Sequence, residues 1–445
     1  LLVPAYAFAF GAAIGISYKH LSEKLSIGLS IKPLISKSVI ILIALFLLIT
    51  PIKAAHGTAM SEIPSMNDAW YDSLTKIKEE SNERSIITSW WDFGHWFVAI
   101  SGRMVTFDGG DQGSRIHWVG KSLLTNNEKE SIDILRMLNC GQEESYDLLE
   151  NYIGNSLKAK KLLSEIISLE KEGASKRLLE EGLSENEKNN VLELTHCEPY
   201  EQYYITSEDM IGKAGVWAHF GNWDFDRASM FNKVKGKAIT EGLQILKDEF
   251  NLNDEKADRY YYEIQSNDGD AWVAPWPNYL SGLSGCSEQG GLIKCGNGLE
   301  YNKELGEVLL ASQQGKVNPN SFALINSDEE FEVREFDSNV GASASLILTD
   351  KGYRSILSQE SLAGSMFNRL FFFKGQGLEC FELFDERRQV TGGMIYVWKV
   401  DWGCNVENNI NEKIRASHIL IKGDNRSEEE ALELINGIAE MITES

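Results

Sequence analysis

The sequence predicts an α+β protein. The end of a polytopic helical membrane domain, with two transmembrane helices, precedes a mixed α/β globular domain with a β-rich C-terminal part. Three observations support this fold class. Two uncharged apolar stretches lie within residues 1–55, Leu, Lys and Glu recur at helical spacing in the middle, and short apolar runs alternate with turn residues at 299–410. A composition of 43% hydrophobic and 24% charged residues excludes a disordered or collagen-like chain.

The charge and the length narrow the possible classes further. The 445 residues include 66 acidic and 43 basic side chains, which gives a net charge of −23. Because such a surface repels phosphate groups, it argues against non-specific nucleic-acid binding. At roughly 150 residues per domain, the chain holds about three units. We divide it into a membrane part at 1–55, a central α/β domain at 56–298, a β-rich region at 299–410 and a final segment at 411–445.

The prediction of a membrane part is based on two stretches without charged residues. Residues 1–18 carry none, and residues 39–52 carry none between the flanking Lys37 and Lys53. A membrane-spanning helix needs about 20 apolar residues, and lysines at its ends can reach the lipid headgroups. Because no charged region precedes the first stretch, we interpret it as the end of a larger multi-pass protein and not as a signal peptide. The alternative is a pair of buried core helices.

The loop between these stretches, at 19–38, predicts the orientation. It holds four lysines against the single acidic residue Glu23, so it should be cytoplasmic and the globular part extracytoplasmic, at the cell membrane. Six cysteines are compatible with an oxidising exterior. Cys286 and Cys295 bracket a glycine-rich segment and are the best candidates for a disulfide. The pairing of the others stays open: Cys140, Cys197, Cys380 and Cys404.

Local patterns predict the elements of the globular part. A helix is expected over 67–80, and Ile86-Ile87 should end a strand before a turn at Asp-Phe-Gly. Residues 127–195 resemble a solvated helical insertion, and a further helix is expected from 226 to about 250. No Cys/His spacing indicates a zinc site.

The motif Trp90-Trp91-Asp92 is the strongest local signal for a site. Indole N–H groups and a carboxylate can bind a small hydroxyl group, because they donate to it and accept from it at once. The alternative is a tryptophan pair buried in a core, with Asp92 capping a following helix.

The segment SWWDFGHW resembles the WWDYG signature of oligosaccharyltransferase catalytic subunits, a family with eukaryotic, archaeal (AglB) and bacterial (PglB) members. It departs from the signature at Phe93, which keeps the ring of the tyrosine and lacks its hydroxyl. The context is also similar, with PSMNDAWYDSLTKIKEES before the motif and GRMVTFDGGDQGSRIHWVGKSLL after it. The resemblance extends from residue 1 to about 403 and is archaeal in character.

This resemblance implies a binding role for the motif. By it, Trp90, Trp91 and Asp92 bind the Ser or Thr hydroxyl of an acceptor sequon Asn-x-Ser/Thr, and a short helical motif completes the same pocket. Its best counterpart here is Asp209 with Lys213, which lie four residues apart, on one helical face. The usual spacing is three, and an ordinary ion pair between these two residues is the alternative.

The resemblance also implies the reaction, the donor and the metal. The family transfers an oligosaccharide from a dolichol-type lipid carrier to the sequon Asn, with Mn²⁺ or Mg²⁺ stabilising the leaving group. We expect the metal ligands and catalytic acids upstream of Leu1, so we assign none in this chain; Asp108 and Asp111 are expected to form a turn. The alternative function is a membrane-anchored extracellular module that binds peptides without transferring a sugar.

The C-terminal end carries a second, shorter resemblance. KIRASHILI followed by SEEEALELINGIAEMI is similar to the start of a parvulin-type peptidyl-prolyl isomerase domain, in which His418 would belong to the histidine core. Ser427 and Glu430 form a capping-box pattern at the start of the helix. Because the segment is far shorter than such a domain, it would not form an isomerase site by itself. The alternative is an ordinary strand–helix ending.

Overall fold

The computed structural model describes residues 2–28, 32–62, 66–312, 315–326 and 330–404, so His418 and the parvulin-like segment lie outside the described residues. The chain divides into two compact units, one ending at Asn67 and one beginning at Asp68. The first unit consists of two helices that pack against each other, α1 (Leu2–Gly28) and α2 (Pro33–Ser61). Helix α1 therefore continues into the predicted loop as far as Gly28.

Helix α2 carries the membrane signal. Within the described residues, one helical stretch, Lys37–Ser61, is long and apolar enough to span a membrane, with a mean hydropathy of 2.4. Most of its apolar side chains are solvent-exposed, with Phe46 at 72% and Leu47 at 61%, whereas Ile40 is buried. Such exposure is costly in water and favourable in lipid. The second span, expected in α1, stays a prediction.

The second unit begins with helix α3, which confirms the helix predicted at 67–80. Its helices, in chain order, are α3 (Asp68–Glu80), α4 (Gly94–Trp96), α5 (Arg115–Leu124), α6 (Glu128–Cys140), α7 (Glu144–Ile153), α8 (Ser156–Ile167), α9 (Lys171–Glu180), α10 (Glu185–Thr195), α11 (Asp209–Gly212), α12 (Ala214–Gly221), α13 (Phe225–Val234), α14 (Ile239–Asp248), α15 (Asp254–Ser266), α16 (Gly269–Val273), α17 (Glu360–Ala363) and α18 (Met366–Phe371). A 3₁₀-helix at Trp91–Phe93 and a π-helix at Phe97–Ser101 flank α4.

Two sheets form among the described residues. Their strands, in chain order, are β1 (Ile86–Thr88), β2 (Met104–Val105), β3 (Gln202–Ser207), β4 (Ser284–Gln289), β5 (Leu292–Cys295), β6 (Leu299–Asn302), β7 (Glu307–Ser312), β8 (Gly315–Val317), β9 (Ser321–Ile325), β10 (Phe331–Glu335), β11 (Ser343–Thr349), β12 (Gly352–Ser358), β13 (Phe381–Arg388) and β14 (Met394–Val400). The first sheet has the order β13-β14-β3-β1-β2, and the second the order β10-β9-β11-β12-β4-β5-β6-β7-β8. The β-rich region therefore begins at Ser284, earlier than the predicted 299.

The helices predicted at 127–195 are present as α6 to α10. Three of them begin at a residue whose side chain caps the helix, and their inner faces are apolar. Asn127, Asn155 and Ser184 accept hydrogen bonds from the first turns of α6, α8 and α10. The inner faces of these helices belong to the largest hydrophobic cluster among the described residues, where Leu135 and Leu163 are fully buried. The stretch is therefore amphipathic and part of the core, not only a solvated insertion.

One predicted helix proved to be two. The stretch expected as a single helix from 226 to 250 forms α13 and α14, separated at Lys235–Ala238. Gly236 lies in this break with φ of +77°, a left-handed conformation that ends a helix and favours glycine. The periodicity of the apolar residues continued across the break, and for that reason it did not reveal the turn.

The cysteines form three disulfides among the described residues, one within the second sheet and two next to strands of the first sheet. The expected Cys286–Cys295 pair is confirmed and bridges β4 to β5. The other pairs, which the sequence left open, are Cys140–Cys197 and Cys380–Cys404. The first closes a separation of 57 residues, so it ties the end of α6 to the segment that leads into β3. The second joins the two outer ends of the β13–β14 hairpin, which pairs with β3.

Candidate functional site

The candidate site lies at one edge of the first sheet. Strand β1 pairs in parallel with β2 on one side and β3 on the other, with Ile86 opposite Met104 and Gln202. Because parallel strands end at the same edge, the three segments that follow them converge there, as is common for ligand sites in α/β sheets. The motif at 90–92 follows β1, and Asp209 and Lys213 follow β3. The predicted residues thus meet in space.

The two tryptophans of the motif have different environments. Trp90 leaves β1 in an extended conformation, is 3% exposed and packs edge-on against Phe107, with 5.8 Å between ring centroids. Trp91 begins the 3₁₀-helix and is partly exposed, and its indole Nε1 is shielded from solvent without a hydrogen-bond partner among the described residues. Trp90 is therefore a core residue, and Trp91 presents an unsatisfied donor at the edge of that core.

Asp92 belongs to a cluster of three charged residues in which Lys213 is the shared partner. Its Oδ1 is 2.9 Å from Lys213 Nζ, which is also 3.0 Å from Asp209 Oδ2. These side chains are 23%, 31% and 29% exposed respectively, so water screens them only in part. Asp92 caps neither of the helical turns beside it, which rules out the capping alternative. Asp209 and Lys213 form more than an isolated helical ion pair, since Lys213 joins the segments after β1 and β3.

The pKa of Lys213 shows how the cluster holds its charge. Burial disfavours the ammonium, but the hydrogen bond to Asp92 and the charge of Asp209 outweigh burial and raise the pKa. The side chain also lies over the Phe93 ring, with Nζ 4.9 Å from the centroid. Lys213 is therefore held in place and occupies one oxygen of Asp92. The other oxygen, Oδ2, is shielded and has no hydrogen-bond partner among the described residues.

Phe93 uses its ring as a packing surface. It stacks on Trp96 with 4.3 Å between centroids and an interplanar angle of 8°, and it meets Trp70 of α3 edge-on at 5.1 Å. These contacts, and the Lys213 contact, need an aromatic ring and no hydroxyl. The departure from the tyrosine of the family signature therefore leaves these interactions in place.

Gly94 is required by a close approach of two chain segments. A Cβ atom at this position would lie 2.5 Å from the Cβ of Asp108, 2.7 Å from the carbonyl oxygen of Phe107 and 2.8 Å from the Cα of Asp108. Two of these atoms belong to the backbone, so rotating a side chain would not relieve the clash. The turn after β1 and the segment after β2 pack together because this glycine lacks a side chain.

We expect Gly94→Ala to lower the free energy of unfolding by about 2–4 kcal/mol, because the methyl group forces two backbone segments apart. The measurement is urea denaturation of the purified chain in detergent, followed by tryptophan fluorescence. Gly173→Ala is the matched control, since Gly173 lies exposed in α9 and a Cβ there meets only ordinary contacts, the nearest at 3.5 Å. Equal stability of Gly94→Ala and the wild-type chain would contradict the close approach.

Asp108 and Asp111 form a turn, as predicted, and do not suit a metal ion. Asp108 Oδ1 accepts the backbone N–H of Gly110 at 2.7 Å, and its Oδ2 lies 3.1 Å from His95 Nδ1. Asp111 Oδ2 lies 2.7 Å from Arg115 Nη2. Both carboxylates are thus engaged within the protein. Across the part of the chain that the structure describes, no group of three or more His, Cys, Asp or Glu side chains is arranged to hold a metal.

His95 is a residue that the sequence did not single out. It follows the motif directly, its side chain is 66% exposed, and it pairs with Asp108 from the segment after β2. A histidine next to the motif and an aspartate in FDGGDQG were both visible in the sequence. Their pairing was not, because it depends on the parallel alignment of β1 and β2.

Comparison of the sequence with known protein families finds a match over the part of the chain that carries the candidate site. Residues 83–227, which contain the whole candidate site, match the STT3/PglB/AglB core domain. This part of the chain is therefore similar to the core domain of oligosaccharyltransferase catalytic subunits. In particular, the chain resembles the C-terminal portion of the archaeal AglB-type subunits, which confirms the resemblance predicted from its motifs.

Two curated relatives have significant sequence identity to this chain. A dolichyl-phosphooligosaccharide-protein glycotransferase from Methanocaldococcus jannaschii is 37% identical over 228 residues, covering 50% of this chain and 24% of the relative. One of the same name from Methanococcus voltae is 28% identical over 392 residues, covering 84% of this chain and 41% of the relative. The alignments therefore span less than half the length of these curated relatives. The Campylobacter jejuni PglB C-terminal domain aligns with 74% of this chain at 14% identity and a TM-score of 0.36, too loose a superposition to support an argument.

Proposed function

We propose that this chain is the C-terminal part of an oligosaccharyltransferase. The complete enzyme would transfer an oligosaccharide from a dolichol-type lipid carrier to the Asn of Asn-x-Ser/Thr sequons. Within it, this part would bind the sequon Ser or Thr. The names of the relatives, both glycotransferases, support the reaction, and the geometry around Asp92 supports the binding role.

One observation carries the binding role: a shielded donor and a shielded acceptor without partners belong to adjacent residues. Trp91 Nε1 can donate a hydrogen bond and Asp92 Oδ2 can accept one. A hydroxyl group is the small group that satisfies both, because it accepts and donates simultaneously. A peptide without the hydroxyl leaves both groups unsatisfied, at a cost of about 1–3 kcal/mol for each.

The neighbouring charges would prepare Asp92 for this task. Lys213 pairs with Oδ1 of Asp92, so Oδ2 is left for the ligand. Asp209 in turn holds Lys213 from the other side and receives a hydrogen bond from Ser207. The pocket would be formed before the peptide arrives, which reduces the entropic cost of binding.

Residues outside this chain would carry out the chemical step. In the proposed reaction the acceptor amide nitrogen attacks the anomeric carbon, and Mn²⁺ or Mg²⁺ stabilises the departing phosphate of the lipid. The described residues do not provide a fitting ligand set, so we propose that residues outside this chain hold the cation. The contribution of Trp91 and Asp92 would be to bind and orient the acceptor, not to stabilise charge at the sugar.

The membrane part would set the location. Helix α2 has the length and hydropathy of a membrane span, and we propose that α1 provides a second one. The lysine-rich stretch between them would be cytoplasmic and the globular unit extracytoplasmic, as the positive-inside rule predicts. The lipid-linked donor would then lie in the membrane next to the acceptor-binding unit, on the side where secreted polypeptides emerge.

The second candidate function is a membrane-anchored extracellular module that binds peptides without transferring sugar. The same two unsatisfied groups favour it equally, since they account for binding and not for transfer. The two functions differ in one measurement. The complete protein, given lipid-linked oligosaccharide and a sequon peptide, yields a glycopeptide if it is the enzyme and none if it is a binding module.

The binding role is tested by an isosteric pair of peptides. We expect the purified chain to bind an Asn-Ala-Thr peptide weakly, at about 1 mM, and an Asn-Ala-Val peptide at least about 10-fold more weakly, since Val has the shape of Thr without its hydroxyl. NMR titration measures both affinities. An Asn-Val-Thr peptide is the control and should bind like Asn-Ala-Thr. Equal affinities for the Thr and Val peptides would exclude recognition of the hydroxyl.

A further inference from the structure

His95 and Asp108 form an ordered pair beside Trp91. The Asp108 carboxylate is fixed by the backbone N–H groups of Gly110 and Asp111, at 2.7 and 3.3 Å from Oδ1. These bonds, with the Gly110 contact as the largest cause, lower the pKa of Asp108 and keep it ionised. Its Oδ2 lies 3.1 Å from His95 Nδ1. The imidazole is therefore held at one nitrogen by an anchored carboxylate.

This pairing determines what the other nitrogen can do. A carboxylate only accepts hydrogen bonds, so neutral His95 must donate Nδ1–H to Asp108. In this neutral form Nε2 carries no proton and can accept a hydrogen bond. The side chain is 66% exposed, so this acceptor is open to a ligand. Asp108 is thus a positioning residue that determines which nitrogen of His95 is offered.

Gly109 places the acceptor next to Trp91. A Cβ atom added to Gly109 would lie 3.6 Å from His95 Nε2 and 3.6 Å from the Cζ3 atom of Trp91. Both atoms therefore border one small space above the backbone of residue 109. The close packing of Gly94 on Asp108 fixes the two sides of this space relative to each other. Lys213 reaches Asp92 from the opposite side, from the segment after β3.

We propose that His95 is a second anchor for the acceptor peptide, whose Nε2 accepts a hydrogen bond from a backbone N–H of the peptide near the bound Ser or Thr. This inference rests on the proposed function. An extended peptide whose hydroxyl is held by Trp91 and Asp92 exposes free backbone N–H groups on either side of that residue. An unprotonated imidazole nitrogen next to Trp91 has the chemistry to bind one of them, whatever the neighbouring side chains of the peptide are.

The first test compares substitutions of His95 in the complete enzyme. We expect His95→Ala to raise KM for a sequon peptide roughly 3- to 10-fold with kcat unchanged, the effect of losing one neutral hydrogen bond. His95→Gln places an amide oxygen near the position of Nε2 and should recover most of the affinity. His95→Asn reaches only the position of Nδ1 and should behave like His95→Ala. An unchanged KM in His95→Ala overturns the proposal, as does equal loss in all three variants.

The second test identifies the peptide group. A series of sequon peptides, each with one amide replaced by an ester, removes single N–H groups without adding bulk. We expect one ester peptide to bind the wild-type enzyme more weakly than its amide parent does. The same ester peptide and its amide parent should bind the His95→Ala enzyme equally well. Such coupling requires direct contact and would not arise from a structural role. If no ester peptide shows coupling, the backbone contact is wrong.

A glycine substitution tests the location independently. Gly109→Ala should fold normally, because the new methyl group meets only ordinary contacts of 3.6 Å, and it should raise KM by occupying the space between His95 and Trp91. Gly173→Ala is the matched control, and unchanged KM in Gly109→Ala would place the peptide elsewhere. The Thr and Val peptides separate this inference from the proposed function. If the wild-type enzyme distinguishes them while the His95 variants bind normally, only the His95 anchor fails.

Discussion

Replacing Asp92 by Asn in the complete enzyme is expected to lower kcat/KM for an Asn-x-Thr peptide roughly 100-fold, because the hydroxyl loses a charged acceptor in a partly buried site. The substitution keeps the size of the side chain and removes its charge. Lys213 retains Asp209 as a partner, at 3.0 Å. Since these side chains are about a quarter to a third exposed, the free energy of unfolding should change by about 1 kcal/mol or less. Steady-state glycosylation of synthetic peptides measures the effect.

Two further variants make this result specific. Asp258→Asn is the matched control, because Asp258 lies exposed in α15, and it should leave both transfer and stability unchanged. Trp91→Phe removes the indole N–H and keeps an aromatic ring, so it should lower kcat/KM for Thr peptides while the core survives. If Asp92→Asn glycosylates Thr sequons at the wild-type rate, these residues do not form the acceptor pocket.

The isolated 445-residue chain is expected to transfer no sugar at all, whichever divalent cation is added. The proposed acceptor pocket would orient one substrate, and binding energy that is equal in the ground state and the transition state does not lower the barrier. Stabilising the leaving phosphate needs a cation held by several carboxylates, and the described residues contain no such group. The measurement is mass spectrometry of a sequon peptide after incubation with the purified chain, lipid-linked oligosaccharide and Mn²⁺.

The complete glycotransferase of Methanococcus voltae, assayed in parallel, shows that the donor and the conditions support transfer. Binding of the Thr peptide to the isolated chain, measured in the same preparation, shows that the pocket is folded. If both controls are positive, the absence of a glycopeptide means that the isolated chain lacks the carboxylates that hold the catalytic cation. Detection of a glycopeptide with this chain alone would mean that catalytic carboxylates lie within its 445 residues, and the proposed division of labour would be wrong.

Several elements of the site could be predicted because their signals are local. The period of apolar residues predicts α3, and two isoleucines before a polar turn predict the end of β1. The motif at 90–92 and the Asp209–Lys213 pair were found because their residue types resemble a family signature, although the pair is four residues apart where the family usually has three. The break at Gly236 was missed, since one glycine within a continuing apolar pattern does not show whether its backbone turns.

The sequence by itself therefore determined the resemblance to a family, the motif at 90–92, the helices that begin with caps, and the apolar stretch of α2. Only the tertiary structure decided which of these residues act together. The link between Asp92 and Lys213, the pairing of His95 with Asp108 and the need for glycine at position 94 all arise where β2 and β3 align with β1. Local patterns record periodicity and conformational preference, whereas parallel strand pairing joins segments that are distant in the chain. Contacts between such segments depend on how the whole core packs, and no short stretch of sequence encodes them.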